Sequence, residues 1–82
     1  MVKMTAKEMF EELGYQKVRD SENSLIYDKA NFLHYYQILF NKNNKTVSIK
    51  CNLLDVTYTT FFPVDIKLFM AIQKQLEELG WL

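Results

Sequence analysis

The hydrophobic residues of this 82-residue chain follow a helical period near the start, alternate through the middle, and return to a helical period near the end. The first helical stretch has the spacing i, i+3, i+4 and i+7, with Ala6, Met9, Phe10 and Leu13 on one face. Thr5 and Glu8 occupy the two positions of a capping box before this stretch. Gly14 follows it, and glycine readily adopts the left-handed conformation that ends many helices. The pattern predicts a short helix that begins after Thr5 and ends before Gly14.

A second helix is predicted from the N-cap residue Asp65 to Leu79. At about 100° per residue, five apolar side chains fall within an arc of about 100°, which is the width of a core-facing stripe. They are Leu68, Phe69, Ile72, Leu76 and Leu79. Ile66 and Met70 fall outside this arc, so the sequence predicts that the helix carries apolar residues beyond those its core needs.

Both predicted helices end in the same pattern, Glu-Glu-Leu-Gly followed by an aromatic residue, Tyr15 or Trp81. The leucine, glycine and aromatic residue suit a helix end in which the aromatic side chain folds back on the last turn. The two glutamate pairs are different, because acidic groups in a last turn oppose the helix macrodipole. We interpret them as a solvated face, or as a contact for the cations of a partner.

Between the helices, β-branched and aromatic residues form short runs that are separated by clusters of Asn, Asp, Ser and Lys. The runs predict strands over residues 15–19, 25–29, 32–40 and 46–53, with a further edge strand possible over residues 56–62. Short connections suit antiparallel hairpins. We therefore predict a single α+β domain over residues 1–82, in which an N-terminal helix, an antiparallel sheet of three to five strands and a C-terminal helix form two layers, with both helices on one face of the sheet.

The run over residues 32–40 is apolar on both faces. The bulkier set, which includes His34, is assigned to the core, so Leu33, Tyr35 and Leu39 are expected on the outer face. Exposed apolar patches often mark interaction sites, although single exposed apolar residues are common on protein surfaces. The sequence thus predicts a partner-binding surface formed by Leu33, Tyr35, Leu39, Ile66 and Met70.

Ten basic and ten acidic residues cancel, so no long-range field directs the chain to nucleic acid or to an anionic membrane. An alternative hypothesis is weak binding of single-stranded nucleic acid on the sheet. Tyr35 would then stack on a base, while Lys42, Lys45 and Lys50 would contact phosphates. The zero net charge argues against this alternative.

The residues that could support catalysis or metal binding are few. One cysteine, Cys51, excludes an internal disulfide, and together with one histidine it is insufficient for a closed zinc site of Cys and His ligands. His34 has no nucleophile or carboxylate at a spacing that promises general base catalysis. We therefore expect a non-enzymatic protein with no catalytic residue, metal or cofactor, and no small-molecule substrate is inferred.

The N-terminal residues lack the apolar run of a signal peptide, and no stretch approaches the roughly 20 apolar residues of a membrane span. These features predict a cytoplasmic protein.

The chain resembles a family of small, mostly uncharacterised proteins encoded by phages and prophages of Gram-positive bacteria. The resemblance rests on residues 6–15, 45–47, 71–72, 74–75 and 77–81, which together with their surroundings make up about half of the chain. It implies a phage or prophage origin, and hence a bacterial host cell, but no catalytic residue. Our leading functional hypothesis is a protein-protein interaction module that binds itself, as a possible homodimer, or a host or phage protein.

Overall fold

The computed structural model describes residues 4–31, 34–53 and 64–82. Its elements, in chain order, are α1 (Ala6–Glu12), β1 (Gln16–Asp20), β2 (Ser24–Ala30), β3 (His34–Asn41), β4 (Thr46–Leu53) and α2 (Ile66–Glu78). The strands form one antiparallel sheet in the order β1-β2-β3-β4. The α+β prediction is confirmed, with four strands between the two helices. The further strand predicted over residues 56–62 lies outside the described residues.

The two helices begin and end where the sequence predicts. At the start of α1, the Glu8 carboxylate accepts a hydrogen bond from the Thr5 amide at 2.8 Å, while the Thr5 hydroxyl oxygen accepts one from the Glu8 amide at 3.2 Å. Asp65 caps α2 by accepting a hydrogen bond from the backbone of its first turn. Gly14 and Gly80 follow the helices with φ angles of +92° and +77°. Because these angles are strained for other residues, they explain the glycine in each Glu-Glu-Leu-Gly sequence.

Strand pairing determines which side chains face the helices. Ile38 of β3 lies opposite Tyr27 of β2 and Ile49 of β4, so these three side chains point to the helical side of the sheet. Gln37, the neighbour of Ile38, lies opposite Asp28 and points to the other side, which we call the outer face. The helices thus cover one face of the sheet only.

The core is centred on three aromatic rings from three different elements. Phe10 of α1 stacks on Tyr27 with ring centroids 4.1 Å apart, and the ring of Phe40 on β3 is T-shaped to both, with centroid distances of 6.2 Å. The Tyr27 hydroxyl donates a hydrogen bond of 2.7 Å to Oε1 of Gln75 on α2, and both residues are buried. The sheet is therefore joined to α1 by stacking and to α2 by a buried hydrogen bond.

The orientation of α2 differs from the one predicted by its apolar arc. Phe69, expected in the core, is 55% exposed, whereas Ala71 and Gln75 are buried beside Leu68. At 100° per residue, the buried residues taken together with the partly buried Ile72, Leu76 and Leu79 are centred about 40° away from the predicted arc. The expectation for Phe69 was wrong because Gln75 has a buried partner, Tyr27, which a single helix pattern cannot show.

Candidate functional site

An apolar stripe lies on the side of α2 that faces away from the core. Ile66, Phe69 and Met70 are 74%, 55% and 52% exposed, and their spacing of i, i+3 and i+4 places them on neighbouring turns. We call these three residues the α2 stripe. The second half of the same helix surface carries the polar residues Gln73 and Glu77, so the stripe is confined to the first turns of α2.

A groove between α1 and α2 adjoins the stripe. Its volume is about 430 Å³, and we call it the interhelical groove. Its lining residues are Met4, Met9, Glu12, Leu13, Lys67 and Met70. Since Met70 belongs to both features, the stripe and the groove form one continuous surface. Three of the lining residues are methionines, whose flexible and polarisable side chains adapt well to an apolar partner.

The contacts that hold α1 beside α2 explain how the groove arises. The Glu78 carboxylate, in the last turn of α2, accepts a hydrogen bond of 2.7 Å from the amide of Ala6, the first residue of α1. This amide is one of those that a helix leaves without an intrahelical partner, and the carboxylate also faces the positive end of the α1 dipole. One of the four glutamates in the repeated endings therefore has a structural role. The contact joins the end of α2 to the start of α1, whereas the part of α2 that lines the groove, with Lys67 and Met70, is its beginning.

Two opposite charges flank the groove. Glu12 lies at the end of α1 and Lys67 in the first turn of α2, and both residues are exposed. Within the described part of the chain neither forms an ion pair, since the salt bridges there join Asp20 to Lys17 and Lys42. A partner in the groove thus meets an apolar floor between one acidic and one basic side chain.

The outer face holds a polar cluster beside its apolar residues. The Tyr35 hydroxyl donates a hydrogen bond of 3.0 Å to Asp28, and the Gln37 amide lies 3.5 Å from the same hydroxyl. The hydrogen bond to the Asp28 carboxylate raises the pKa of Tyr35, because the carboxylate stabilises the protonated phenol. Tyr35 and Leu39 are half-buried. Leu33 lies outside the described residues.

The predicted partner-binding residues therefore divide into two sets. Tyr35 and Leu39 lie on the outer face, while Ile66 and Met70 lie on the helical layer on the opposite side of the sheet. Ile66 and Met70 lie beside each other, and Met70 also lines the groove, but both lie on the opposite side of the sheet from Tyr35 and Leu39.

The lysines of the nucleic-acid hypothesis are also dispersed. Lys42 forms a 2.9 Å ion pair with Asp20, which lowers the pKa of that carboxyl group. Lys45 lies in the β3–β4 turn with a φ angle of 57°, and Lys50 lies on β4 opposite Gln37. Only Lys50 shares the outer face with Tyr35, and the hydroxyl of Tyr35 is hydrogen-bonded to the carboxylate of Asp28.

The reactive side chains on the helical side of the sheet contact aromatic rings. The His34 ring stacks on Tyr36 with a centroid distance of 5.8 Å, and Cys51 lies opposite Tyr36 in the strand pairing. The Lys29 ammonium lies over the rings of Tyr15 and Tyr36, at 5.4 and 5.8 Å. Through Tyr15, a core residue, and Tyr36, which packs against the core, these contacts adjoin the core. In the ranges 4–31, 34–53 and 64–82, no three His, Cys, Asp or Glu residues are grouped in a way that could hold a metal ion.

Several residues of the helical surface were not predicted from the sequence as part of a binding site, namely Met4, Met9, Leu13, Glu12, Lys67 and Phe69. A signal for part of this surface was present, because Ile66 and Met70 fell outside the core arc of α2. The groove itself depends on the relative position of the two helices, which involves the contact of Glu78 with Ala6 and the shared core, both formed between distant parts of the chain.

Comparison of the chain with protein-family models, with curated proteins and with solved structures finds no match in any of the three. Within the described residues, neither helix has the length and apolar character needed to cross a membrane.

Proposed function

We propose that this chain is a non-enzymatic interaction module, of the phage or prophage type that the sequence resembles, and that it binds a protein partner through the α2 stripe and the interhelical groove. The observation that carries the proposal is the continuity of three exposed apolar side chains with an apolar groove of about 430 Å³. Apolar surface of this kind, bordered by charges, is typical of protein-protein interaction sites.

The burial of apolar area favours this surface over the outer face. Burial of apolar area contributes about 25 cal/mol per Å², so a partner gains most where large side chains are exposed. Ile66, Phe69 and Met70 are each more than half exposed, whereas Tyr35 and Leu39 are already half-buried within the sheet surface. A partner on the outer face would also have to desolvate Asp28 or replace its hydrogen bond with Tyr35.

The nucleic-acid alternative has less support. A stacking platform for single strands requires an accessible ring inside a positive groove. The hydroxyl of Tyr35 is bound to a carboxylate, and Lys42 is already paired with Asp20. No contact among the described residues favours this alternative over protein binding.

Site-specific photo-crosslinking tests the proposed module. A photoreactive benzoylphenylalanine replaces Met70 in one variant and Ser48 in another, and each protein is expressed at its natural level in cells of the source organism. Ser48 is a matched control because it is exposed on the outer face, opposite Leu39 in the strand pairing. We expect a discrete crosslinked product from position 70 and none from position 48.

Two outcomes contradict the proposal. Crosslinking from position 48 alone would transfer the interface to the outer face, where the sequence analysis first placed it. Absence of a discrete product from both positions would remove the interaction module as the function. The mass of a product from position 70 shows whether the partner is another copy of the chain or a different protein.

A further inference from the structure

We infer that the partner of the α2 stripe and the interhelical groove is a second copy of this chain, in a dimer with two-fold symmetry. The inference depends on the proposed interaction function and specifies its partner. It follows from the shape, the charge and the area of the surface.

The surface carries both a projecting side chain and a recess that can receive one. Ile66 is 74% exposed and lies four residues before Met70, which lines the groove. Four residues correspond to about 6 Å along a helix. A two-fold axis that passes between these positions places the Ile66 side chain of each copy in the groove of the other. Such self-complementarity is what a symmetric dimer interface requires.

The charges beside the groove are complementary under the same symmetry. Glu12 lies on α1 and Lys67 lies on α2, next to Ile66. When Ile66 of one copy enters the groove of the other, Lys67 of the first copy approaches Glu12 of the second, and the symmetry repeats the contact. The chain has ten basic and ten acidic residues, so net charge does not keep two copies apart.

The area available is sufficient for a weak dimer. At roughly 200 Å² of surface per large side chain, the exposed fractions of Ile66, Phe69 and Met70 correspond to on the order of 400 Å² per copy, to which the groove lining adds. Two copies would bury on the order of 1,000 Å² in total, which is at the lower limit for a specific interface. Because an interface of this size is typical of weak complexes, we expect a dissociation constant in the micromolar range, with dimer and monomer in exchange.

Charge reversal tests the inference by sedimentation equilibrium of the full chain at up to about 200 μM, a concentration well above the expected dissociation constant. The variants are Glu12→Lys and Lys67→Glu, each alone, and an equimolar mixture of the two. Each variant alone would place two like-charged pairs in a symmetric dimer, so we expect its dissociation constant to rise at least about tenfold. In the mixture both pairs are of opposite charge, and we expect a heterodimer close to wild-type affinity.

A second pair of variants tests the apolar contact without changing charge. Ile66→Ser should weaken the dimer at least about tenfold, since it removes the side chain that enters the groove. Leu82→Ser is the matched control, because Leu82 is 72% exposed but lies beyond the end of α2. It should leave the dimer unchanged. Thermal unfolding of all variants confirms that these exposed substitutions leave the fold intact.

The inference is overturned if the wild-type protein remains monomeric at about 200 μM, a concentration at which a weak specific dimer would form. It is also overturned if the single charge variants dimerise like wild type, or if their mixture fails to restore association. In these cases, a crosslinked product from position 70 whose mass differs from that of two copies of the chain would still support the interaction module, but with a different protein as its partner. If the protein neither forms a dimer in sedimentation nor gives a crosslinked product from position 70, the interaction module and the dimer are both ruled out.

Discussion

Among the residues that the structure describes, the buried hydrogen bond between Tyr27 and Gln75 is the only side-chain hydrogen bond that joins the sheet to α2. A double-mutant cycle measures its contribution to stability. In Tyr27→Phe, the ring keeps its stacking on Phe10 at 4.1 Å, but Oε1 of Gln75 loses its donor at a position where the residue is 6% exposed. In Gln75→Met, a side chain of similar length leaves the Tyr27 hydroxyl without its acceptor. Each single variant therefore leaves one buried polar group without this partner.

The expected magnitudes follow from the cost of such groups. A buried donor or acceptor that loses its partner costs about 1 to 3 kcal/mol, whereas replacing both partners by apolar groups of similar shape is close to neutral. We expect each single variant to lose about 1 to 3 kcal/mol of unfolding free energy and the double variant to lose less than either. For a domain of this size, 1 kcal/mol corresponds to about 4 to 8 °C in Tm.

The assay is urea unfolding at neutral pH, followed by the fluorescence of Trp81, the single tryptophan of the chain, which packs against the core. The coupling energy is the difference between the double variant and the sum of the single variants. If the two losses add to within about 0.5 kcal/mol, the residues do not interact as the structure shows and the reasoning is refuted.

Two further predictions concern the ends of the helices and the aromatic core. Glu78→Ala should lower the unfolding free energy by about 0.5 to 2 kcal/mol, as the loss of a helix cap does, because the first amide of α1 loses its acceptor. Glu77→Ala is the exposed control in the same urea assay, and an equal loss for the two variants would contradict the cap. Burial raises the pKa of both Tyr15 and Tyr27 to about 12, so their neutral forms stabilise the fold fully below the unfolded value of about 10. Stability should therefore fall between about pH 10 and pH 12, less steeply in Tyr15→Phe, and unfolding curves unchanged across that range would disprove it.

Much of the fold could be predicted from the sequence because its signals are local. The capping box of Thr5 and Glu8, the N-cap Asp65 and the glycines after each helix all act within a few residues, and the structure confirms them. The alternation over residues 46–53 likewise defines a strand and its faces without reference to the rest of the chain.

The features that the sequence did not predict depend on contacts between distant residues. The partner of Glu78 is 72 positions away at Ala6, and the partner of Gln75 is 48 positions away at Tyr27. A helix pattern treats Gln75 as solvent-facing because it cannot show that a tyrosine hydroxyl meets it in the core. The interhelical groove is a consequence of such contacts, so the candidate site was only partly visible, through Ile66 and Met70.

The orientation of α2 links the core to the proposed interface. Rotation of the helix by about 40° towards its apolar arc would bury Phe69, but this residue is only 55% exposed, so the gain is about half of the roughly 1.5 to 3 kcal/mol that complete burial of a phenylalanine contributes. The hydrogen bond of Gln75 contributes about 0.5 to 1.5 kcal/mol net, so the two effects are similar in size. Ala71 gives a steric reason for the observed orientation, because this orientation places a small, fully buried side chain in the core beside the sheet. Packing and the polar contacts thus leave Phe69 on the surface next to Ile66, and a partner that covers the α2 stripe recovers the apolar burial that the isolated chain forgoes.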